Sequence, residues 1–169
     1  GGMLIHDPQD GFQRQIHSIE NTPFRTKFEK DLSDFHGCSG IGCISDTDPQ
    51  PLLVRSHLGL YAITTVGIIN NAEELIQQYF SDHGHQFMAM SSGKVNATEL
   101  TAALINQKDD LVSGILHAQD EIKGSMTLLV LTDKGEIIAA RDKLGRLPVL
   151  VGQNQEGCCV SFESFAYHK

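Results

Sequence analysis

The apolar residues of the chain follow two different periods. In residues 25–35 they stand three or four positions apart, at Phe28, Leu32 and Phe35, which is the spacing of one helical face. The same period predicts three further helices, over residues 72–81, 97–106 and 109–122. Elsewhere the apolar residues form short runs rich in β-branched side chains, which are typical of strands.

Asparagines precede two of the predicted helices. A short side-chain acceptor at the position before a helix satisfies the free N–H groups of its first turn. We therefore expect Asn70 or Asn71 to cap the second predicted helix and Asn96 to cap the third.

The strand-like runs are segregated from the helices. They cover residues 40–45, 58–67, 125–132, 136–141, 148–152 and 158–164. The long run over 58–67 predicts a central strand. The last four predict an antiparallel meander, with hairpin turns at "DKG" and "QNQEG". This order predicts an α+β fold, with helices layered on the faces of sheets.

Composition narrows the class of protein. The 169 residues suit a single domain over 1–169, and 40% hydrophobic with 20% charged residues excludes a disordered chain. A formal net charge of −8 argues against nucleic-acid binding, which needs clustered Lys and Arg. No apolar run is long enough for a bilayer, and no signal-peptide pattern opens the chain. We expect a cytoplasmic protein with small-molecule or protein partners.

Cysteine and histidine give no metal pattern. The four cysteines are Cys38, Cys43, Cys158 and Cys159. None belongs to a C-x-x-C pair, so they are predicted to be reduced, partly buried thiols rather than disulfides or metal ligands. The "HGH" at 83–85 and the "HGC" at 36–38 lack convincing partner ligands. We therefore predict neither a metal nor a cofactor.

The most distinctive stretch is "RDKLGRLPVLVG", residues 141–152. It joins two predicted strands through Gly145 and Pro148. Two interpretations are open from its chemistry alone: Arg141 and Asp142 form an ion pair that pins the turn, or the stretch is a structural corner with solvated charges.

This stretch resembles the "RDPxGxRPLxxG" segment of class II glutamine amidotransferase domains. More narrowly, it resembles the glutaminase domain of amidophosphoribosyltransferases, a family of purine nucleotide biosynthesis. Four other segments resemble that family in the same order along the chain. They are "GIG" at 40–42, "GIINNAEEL" at 67–75, "GSMTLLVLT" at 124–132 and "VSFESFA" at 160–166.

The resemblance implies a fold and partners. The fold is the four-layer αββα sandwich of N-terminal nucleophile hydrolases, with two antiparallel sheets between helices. We expect the chain to lack the first strands of that fold, with Gly1 standing after them, and to be a fragment of a longer protein. The implied partner is a phosphoribosyltransferase domain of the same chain or of a partner subunit, in a homo-oligomer.

The same resemblance places the expected glutamine site, and this chain departs from it. In the family an N-terminal cysteine attacks glutamine, and an "HNGN" turn holds the oxyanion. That turn matches residues 65–68, where only Gly67 is kept and Val66 replaces the asparagine donor. The arginine of "GHxR", which grips the substrate carboxylate, matches Ser45. The aspartate of "SDxE", which holds the substrate ammonium, matches Ala97.

These departures predict a degenerate site with no intact catalytic residue and no glutaminase activity, so whether the protein is an enzyme stays open. Val66, Ile68 and Ile69 are then interpreted as packing residues, and the domain has a structural or regulatory role. Two alternatives are an amidohydrolase or amidotransferase acting on a substrate other than glutamine, and a stand-alone binding module.

Overall fold

A computed structural model describes residues 1–46, 48–83, 87, 90–91 and 93–164. The helices found there are α1 (Phe24–Asp34), α2 (Ala72–His83), α3 (Ala97–Ile105) and α4 (Leu111–Glu121). The strands are β1 (Gly2–Asp7), β2 (Gly11–Ile16), β3 (Ser39–Cys43), β4 (Leu52–Ser56), β5 (Gly59–Ile69), β6 (Met90–Ser91), β7 (Lys94–Val95), β8 (Gly124–Thr132), β9 (Ile137–Ala140), β10 (Leu150–Gln153) and β11 (Cys158–Ser161). The four predicted helices therefore occur within a residue or two of their expected bounds.

The larger core lies between a four-stranded antiparallel sheet and three helices. The strand order in this sheet is β4-β5-β8-β9, with the two long strands β5 and β8 at its centre. Tyr61 and Ile63 of β5 and Leu128 of β8 pack against Leu100 of α3 and Ile115 of α4. Alternate residues of a strand share a face, so these positions define the helix-covered face of the sheet.

The opposite face of the same sheet packs on a second sheet. Ala62, Leu129 and Leu131 form a smaller core with Leu4 of β1 and Ile41 of β3. The second sheet has three strands in the order β2-β1-β3, all antiparallel. The two sheets are therefore stacked face to face.

Helix α1 supplies the fourth layer. Leu4 faces the core between the sheets. Alternate residues of a strand share a face, so Gly1, three residues before Leu4, faces the opposite side of the three-stranded sheet. A Cβ atom built on Gly1 would lie 2.9 Å from the Phe24 ring of α1. His17 pairs with Gly1 and meets Phe28 of α1 edge-on, with ring centroids 4.8 Å apart. The order of layers is thus helix, sheet, sheet, helix, as the α+β prediction requires.

Three sequence expectations about strands need correction. Strands β1 and β2 were not predicted, because elements were predicted from the apolar pattern only from residue 25 onward. Strand β4 was not predicted, because its five residues follow a loop that contains two prolines. The predicted four-stranded meander is split: β8 and β9 join the large sheet, whereas β10 and β11 form a separate two-stranded sheet among the described residues.

The thiols are also more exposed than predicted. All four cysteines lie among the described residues, and none is in a disulfide. Cys38, Cys158 and Cys159 are exposed, and Cys43 is half-buried.

Parts of two sequence segments, 84–85 of "HGH" and 165–166 of "VSFESFA", lie outside the described residues. No helix in the described ranges is both long and apolar enough to cross a membrane.

Candidate functional site

The loop between β3 and β4 connects two of the predicted site positions. The Ser45 Oγ accepts a hydrogen bond from the Asp48 backbone N–H at 3.1 Å. The Asp48 Oδ2 in turn accepts one from the Ala97 backbone N–H at 3.4 Å. Ser45 and Ala97 are far apart in sequence, so this chain of contacts is what brings them to one place.

The same loop also contacts β5 at Thr65, the residue before Val66. The buried Gln50 side chain accepts a hydrogen bond from the Thr65 N–H at 2.7 Å and donates one to the Thr65 carbonyl at 3.2 Å. Through these two hydrogen bonds, the Gln50 side chain pairs with the backbone of β5 as a residue of a neighbouring strand would. The Thr65 Oγ1 lies 2.7 Å from the Thr98 Oγ1 in α3. Val66, the next residue, is therefore fixed relative to both the loop and α3.

Val66 and Ile68 are not packing residues, contrary to the sequence interpretation. Their side chains are 39% and 64% exposed. They continue the face of β5 that carries Ala62, but the core between the sheets does not extend as far as these two positions. Ile69 faces the other way and packs against the helix-covered core. The apolar residues at this site therefore line an open surface.

Gly67 has a structural reason to be glycine. A Cβ atom built there would overlap the carbonyl oxygen of Ser125 on β8. Gly67 pairs with Met126 in the ladder between β5 and β8, at the centre of the large sheet. Retention of this glycine thus follows from strand packing, whether or not the turn binds an oxyanion.

The amino-terminal end of α3 forms another side of the site. As predicted, Asn96 is the N-cap: its Oδ1 accepts hydrogen bonds from Thr98 N at 2.8 Å and Glu99 N at 3.1 Å. The Asn96 side chain is buried, and its Nδ2 has no hydrogen-bond partner within the described structure. Such a donor costs free energy when it is left without an acceptor.

The loop between β3 and β4 borders a cavity of about 230 Å³, together with Gly1 and the end of β2, and neither Val66 nor Ala97 is in its described lining. Gly1, Cys43, Ser45, Asp48 and Gln50 are among the residues that line it, and the described lining includes no arginine or lysine. Burial raises the pKa of the Cys43 thiol, and the nearby amino-terminal charge opposes this only in part. A thiol with a raised pKa is a poor nucleophile at neutral pH. Cys43 is therefore not an activated replacement for an N-terminal cysteine.

The segment that begins at Arg141 is a turn held by two separate sets of contacts. Asp142 is 6% exposed, and its carboxylate accepts hydrogen bonds from Thr127 Oγ1 at 3.3 Å, Leu144 N at 2.8 Å and Arg146 N at 3.2 Å. The Arg141 Nη2 donates to the Gly145 carbonyl at 3.0 Å, where Gly145 adopts a φ of 63°.

The ion pairs found among the described residues do not include one between Arg141 and Asp142. Pro148 is exposed near the end of the same turn. The turn touches the candidate site indirectly, because Thr127 is the strand partner of Val66 in the ladder between β5 and β8.

Comparison with known proteins identifies the family. The sequence profile of the glutamine amidotransferase domain matches residues 40–166, which is most of the chain. This chain belongs to the glutamine amidotransferase domain family. The amidotransferase profile and the stacked sheets agree with the predicted class II domain and its N-terminal nucleophile hydrolase fold.

Amidophosphoribosyltransferases are among the relatives of this amidotransferase domain. The protein of that name from Methanocaldococcus jannaschii is 26% identical over 163 residues, covering 90% of this chain and 34% of the relative. The one from Archaeoglobus fulgidus is 29% identical over 117 residues, covering 69% of this chain and 25% of the relative. The chain thus spans about a third or less of these proteins' lengths.

Solved structures give the same likeness. Glutamine phosphoribosylpyrophosphate amidotransferase from B. subtilis, complexed with ADP and GMP, matches with a TM-score of 0.79 at 26% identity, over 98% of this chain and 36% of that one. A structure described as the allosteric regulatory enzyme of purine biosynthesis matches with a TM-score of 0.73 at 26% identity, over 94% of this chain and 34% of that one.

The structure adds site residues that the sequence did not predict. They are Asp48, Gln50 and Thr98. These three residues make contacts between segments that are distant in sequence, and the loop over 44–51 carries only a proline-rich signal in the sequence. Their role in joining the strands to α3 could be seen only once the fold was known.

Proposed function

We propose that this chain is the glutamine amidotransferase domain of an amidophosphoribosyltransferase-like protein of purine nucleotide biosynthesis, and that it has lost glutaminase activity. The observation that carries the proposal is a set of hydrogen bonds through the loop between β3 and β4. They connect Ser45 to Ala97 through Asp48, and they hold Thr65, the neighbour of Val66, against Gln50.

The loss of an oxyanion donor is the most costly of these changes. Val66 has no N–H or O–H group in its side chain, so it cannot donate to a tetrahedral oxyanion. Loss of one such donor typically costs about 3–4 kcal/mol of transition-state stabilisation. Ser45 cannot form the paired, charge-assisted hydrogen bonds by which an arginine holds a carboxylate. Glutamine therefore lacks two of the contacts that its hydrolysis needs.

One contact favours a second candidate function. The Asp48 carboxylate lies against the backbone N–H of Ala97, so a negative charge remains beside the position where the family's aspartate is lost. The described lining of the cavity includes Asp48 and no arginine or lysine, so the cavity suits a ligand with an ammonium group but no free carboxylate. An amidohydrolase or binding module for such an amine is therefore the alternative.

In the leading proposal the domain has a structural or regulatory role. It packs against a phosphoribosyltransferase domain of the same chain or of a partner subunit, within a cytoplasmic homo-oligomer. The length of the relatives supports this proposal, since the chain matches only about a third of each of them.

Calorimetric titration of the full-length protein with glutamine and with glutaminamide separates these possibilities. Glutaminamide keeps the ammonium group and lacks the carboxylate. Loss of the glutamine site predicts no binding of glutamine at millimolar concentration, and saturable glutamine binding would contradict it. Glutaminamide binding that is lost in Asp48→Asn, and kept in the control Asp46→Asn, would support the alternative.

A further inference from the structure

Three of the four cysteines line one cleft, away from the candidate glutamine site. The cleft measures about 740 Å³ and lies between the edge strand β3 and the hairpin β10–β11. Cys38, immediately before β3, lies on one side, and Cys158 and Cys159 of β11 lie on the other. All three thiols are exposed to solvent.

The strand pattern distinguishes the two neighbouring cysteines. Val160 of β11 packs against the core between the sheets, which includes Ile41 of β3. Residues two apart on a strand share a face, so Cys158 is on the same face as Val160, whereas Cys159 is on the opposite face. Cys158 is therefore the cysteine on the face of the hairpin that packs toward β3, and it lines the same cleft as Cys38.

We propose that Cys38 and Cys158 are a thiol–disulfide pair, oxidised by a low-molecular-weight disulfide such as glutathione disulfide. The Cys38 thiolate attacks one glutathione sulfur, forming a mixed disulfide and releasing one glutathione, which takes up the proton lost by Cys38. The Cys158 thiolate then attacks the Cys38 sulfur and releases the second glutathione. Two protein thiols are oxidised and one glutathione disulfide is reduced.

Cys43 is the contrasting thiol in this chain. It is half-buried, it lines the other cavity, and its Sγ donates a hydrogen bond to the Ile44 carbonyl at 3.5 Å. Since burial raises the pKa of Cys43, it supplies less thiolate at neutral pH than an ordinary exposed cysteine. The reactive thiols are thus expected at the cleft.

Oxidation fixes the hairpin in place. A disulfide holds its two Cα atoms within about 7 Å of each other. A bond between Cys38 and Cys158 therefore fastens β11 against the residue before β3 and closes the cleft between them. The hairpin follows the turn that contains Asp142, which contacts Thr127 opposite Val66. The redox state thereby controls a segment adjoining the candidate site.

Peptide mapping of the full-length protein tests this pair. The protein is incubated with glutathione disulfide, alkylated and digested with trypsin. Cys38 and Cys43 fall in the peptide of residues 31–55, and Cys158 and Cys159 fall in the peptide of residues 147–169. We expect these two peptides to be joined in the wild type and separated again by dithiothreitol.

Single serine variants assign the bond. The link is expected to persist in Cys43→Ser and Cys159→Ser, and to disappear in Cys38→Ser and Cys158→Ser. A link that survives in either of the last two would overturn the proposal. So would a wild-type protein that gives only glutathione adducts, or that gives no modification of these peptides.

Discussion

Gly67 and Val66 are neighbours in β5, but packing restricts the side chain at Gly67 and not at Val66. Gly67 is fixed by the close approach of the Ser125 carbonyl, so its presence says little about catalysis. Val66 is 39% exposed and is not held by core packing. In the proposed function, valine stands there in place of an asparagine, a change that removes a hydrogen-bond donor and requires no change in core packing. At the residue scale, the chemistry of the site is therefore separable from its architecture.

Substitution of Gly67 by alanine should destabilise the domain by about 3 kcal/mol or more, because the added methyl group must displace a neighbouring strand. Gly157→Ala is the matched control, since a Cβ atom there meets nothing within 4 Å. It should change the free energy of unfolding by less than about 0.5 kcal/mol. Urea denaturation followed by circular dichroism measures both. Equal stability of the two variants would show that β5 and β8 are not so closely packed.

Single residues were predictable from sequence where the cause is local. Asn96 is the N-cap of α3, as expected, because capping depends only on the residues that follow it. Val66 and Ile68 were wrongly interpreted as packing residues, since apolarity cannot show where a second layer stops covering a strand. Asp48 and Gln50 were not predicted because their partners are distant in sequence.

At the scale of elements, the loop between β3 and β4 organises the site. Gln50 bonds both backbone groups of Thr65, and Asp48 reaches the start of α3. One short loop thus joins the three-stranded sheet, the four-stranded sheet and a helix. The loop therefore fixes the relative positions of the segments around the candidate site.

The cap of α4 should make stability depend on acid pH. Hydrogen bonds from the Ser113 side chain and backbone lower the pKa of Asp110 below its usual value of 3.8. Because the folded state has the lower pKa, the carboxylate stabilises folding above the unfolded-state pKa, and that stabilisation is lost as pH falls through the folded-state value. The effect therefore lies below about pH 4.

Asp110→Asn tests this effect, because asparagine is also a good N-cap but does not titrate. Stability at neutral pH should be nearly unchanged, and the fall in unfolding free energy below about pH 4 should be smaller than in the wild type. Asp109→Asn removes a neighbouring carboxylate that is not the cap and should leave the acid dependence as it is. An identical effect of both substitutions would contradict the assignment.

Elements with strong periodicity were predictable, and those defined by their partners were not. The four helices and the central strand follow from their apolar spacing. Strands β1, β2 and β4 are only five or six residues long, and they are recognisable as strands from their pairing with other strands. The hairpin β10–β11 leaves the large sheet because the turn from Arg141 onward redirects the chain, using Asp142 and Gly145.

At the scale of the whole molecule, the domain keeps the fold of its family, and we propose that its glutamine site is altered. It matches the B. subtilis enzyme over 98% of its length with a TM-score of 0.79. Ser45, Val66 and Ala97 are not among the residues of the two described cores. A domain of this kind can lose glutamine hydrolysis and still serve as a packing partner in a larger protein.

Release of ammonia from glutamine by the full-length protein, with its native amino terminus, tests the loss of activity most directly. The account predicts no release above that of a buffer blank, at any glutamine concentration, while the protein remains folded by circular dichroism. Release that saturates with glutamine and scales with protein concentration would contradict it, and would mean that residues other than those at positions 45, 66 and 97 form a working site.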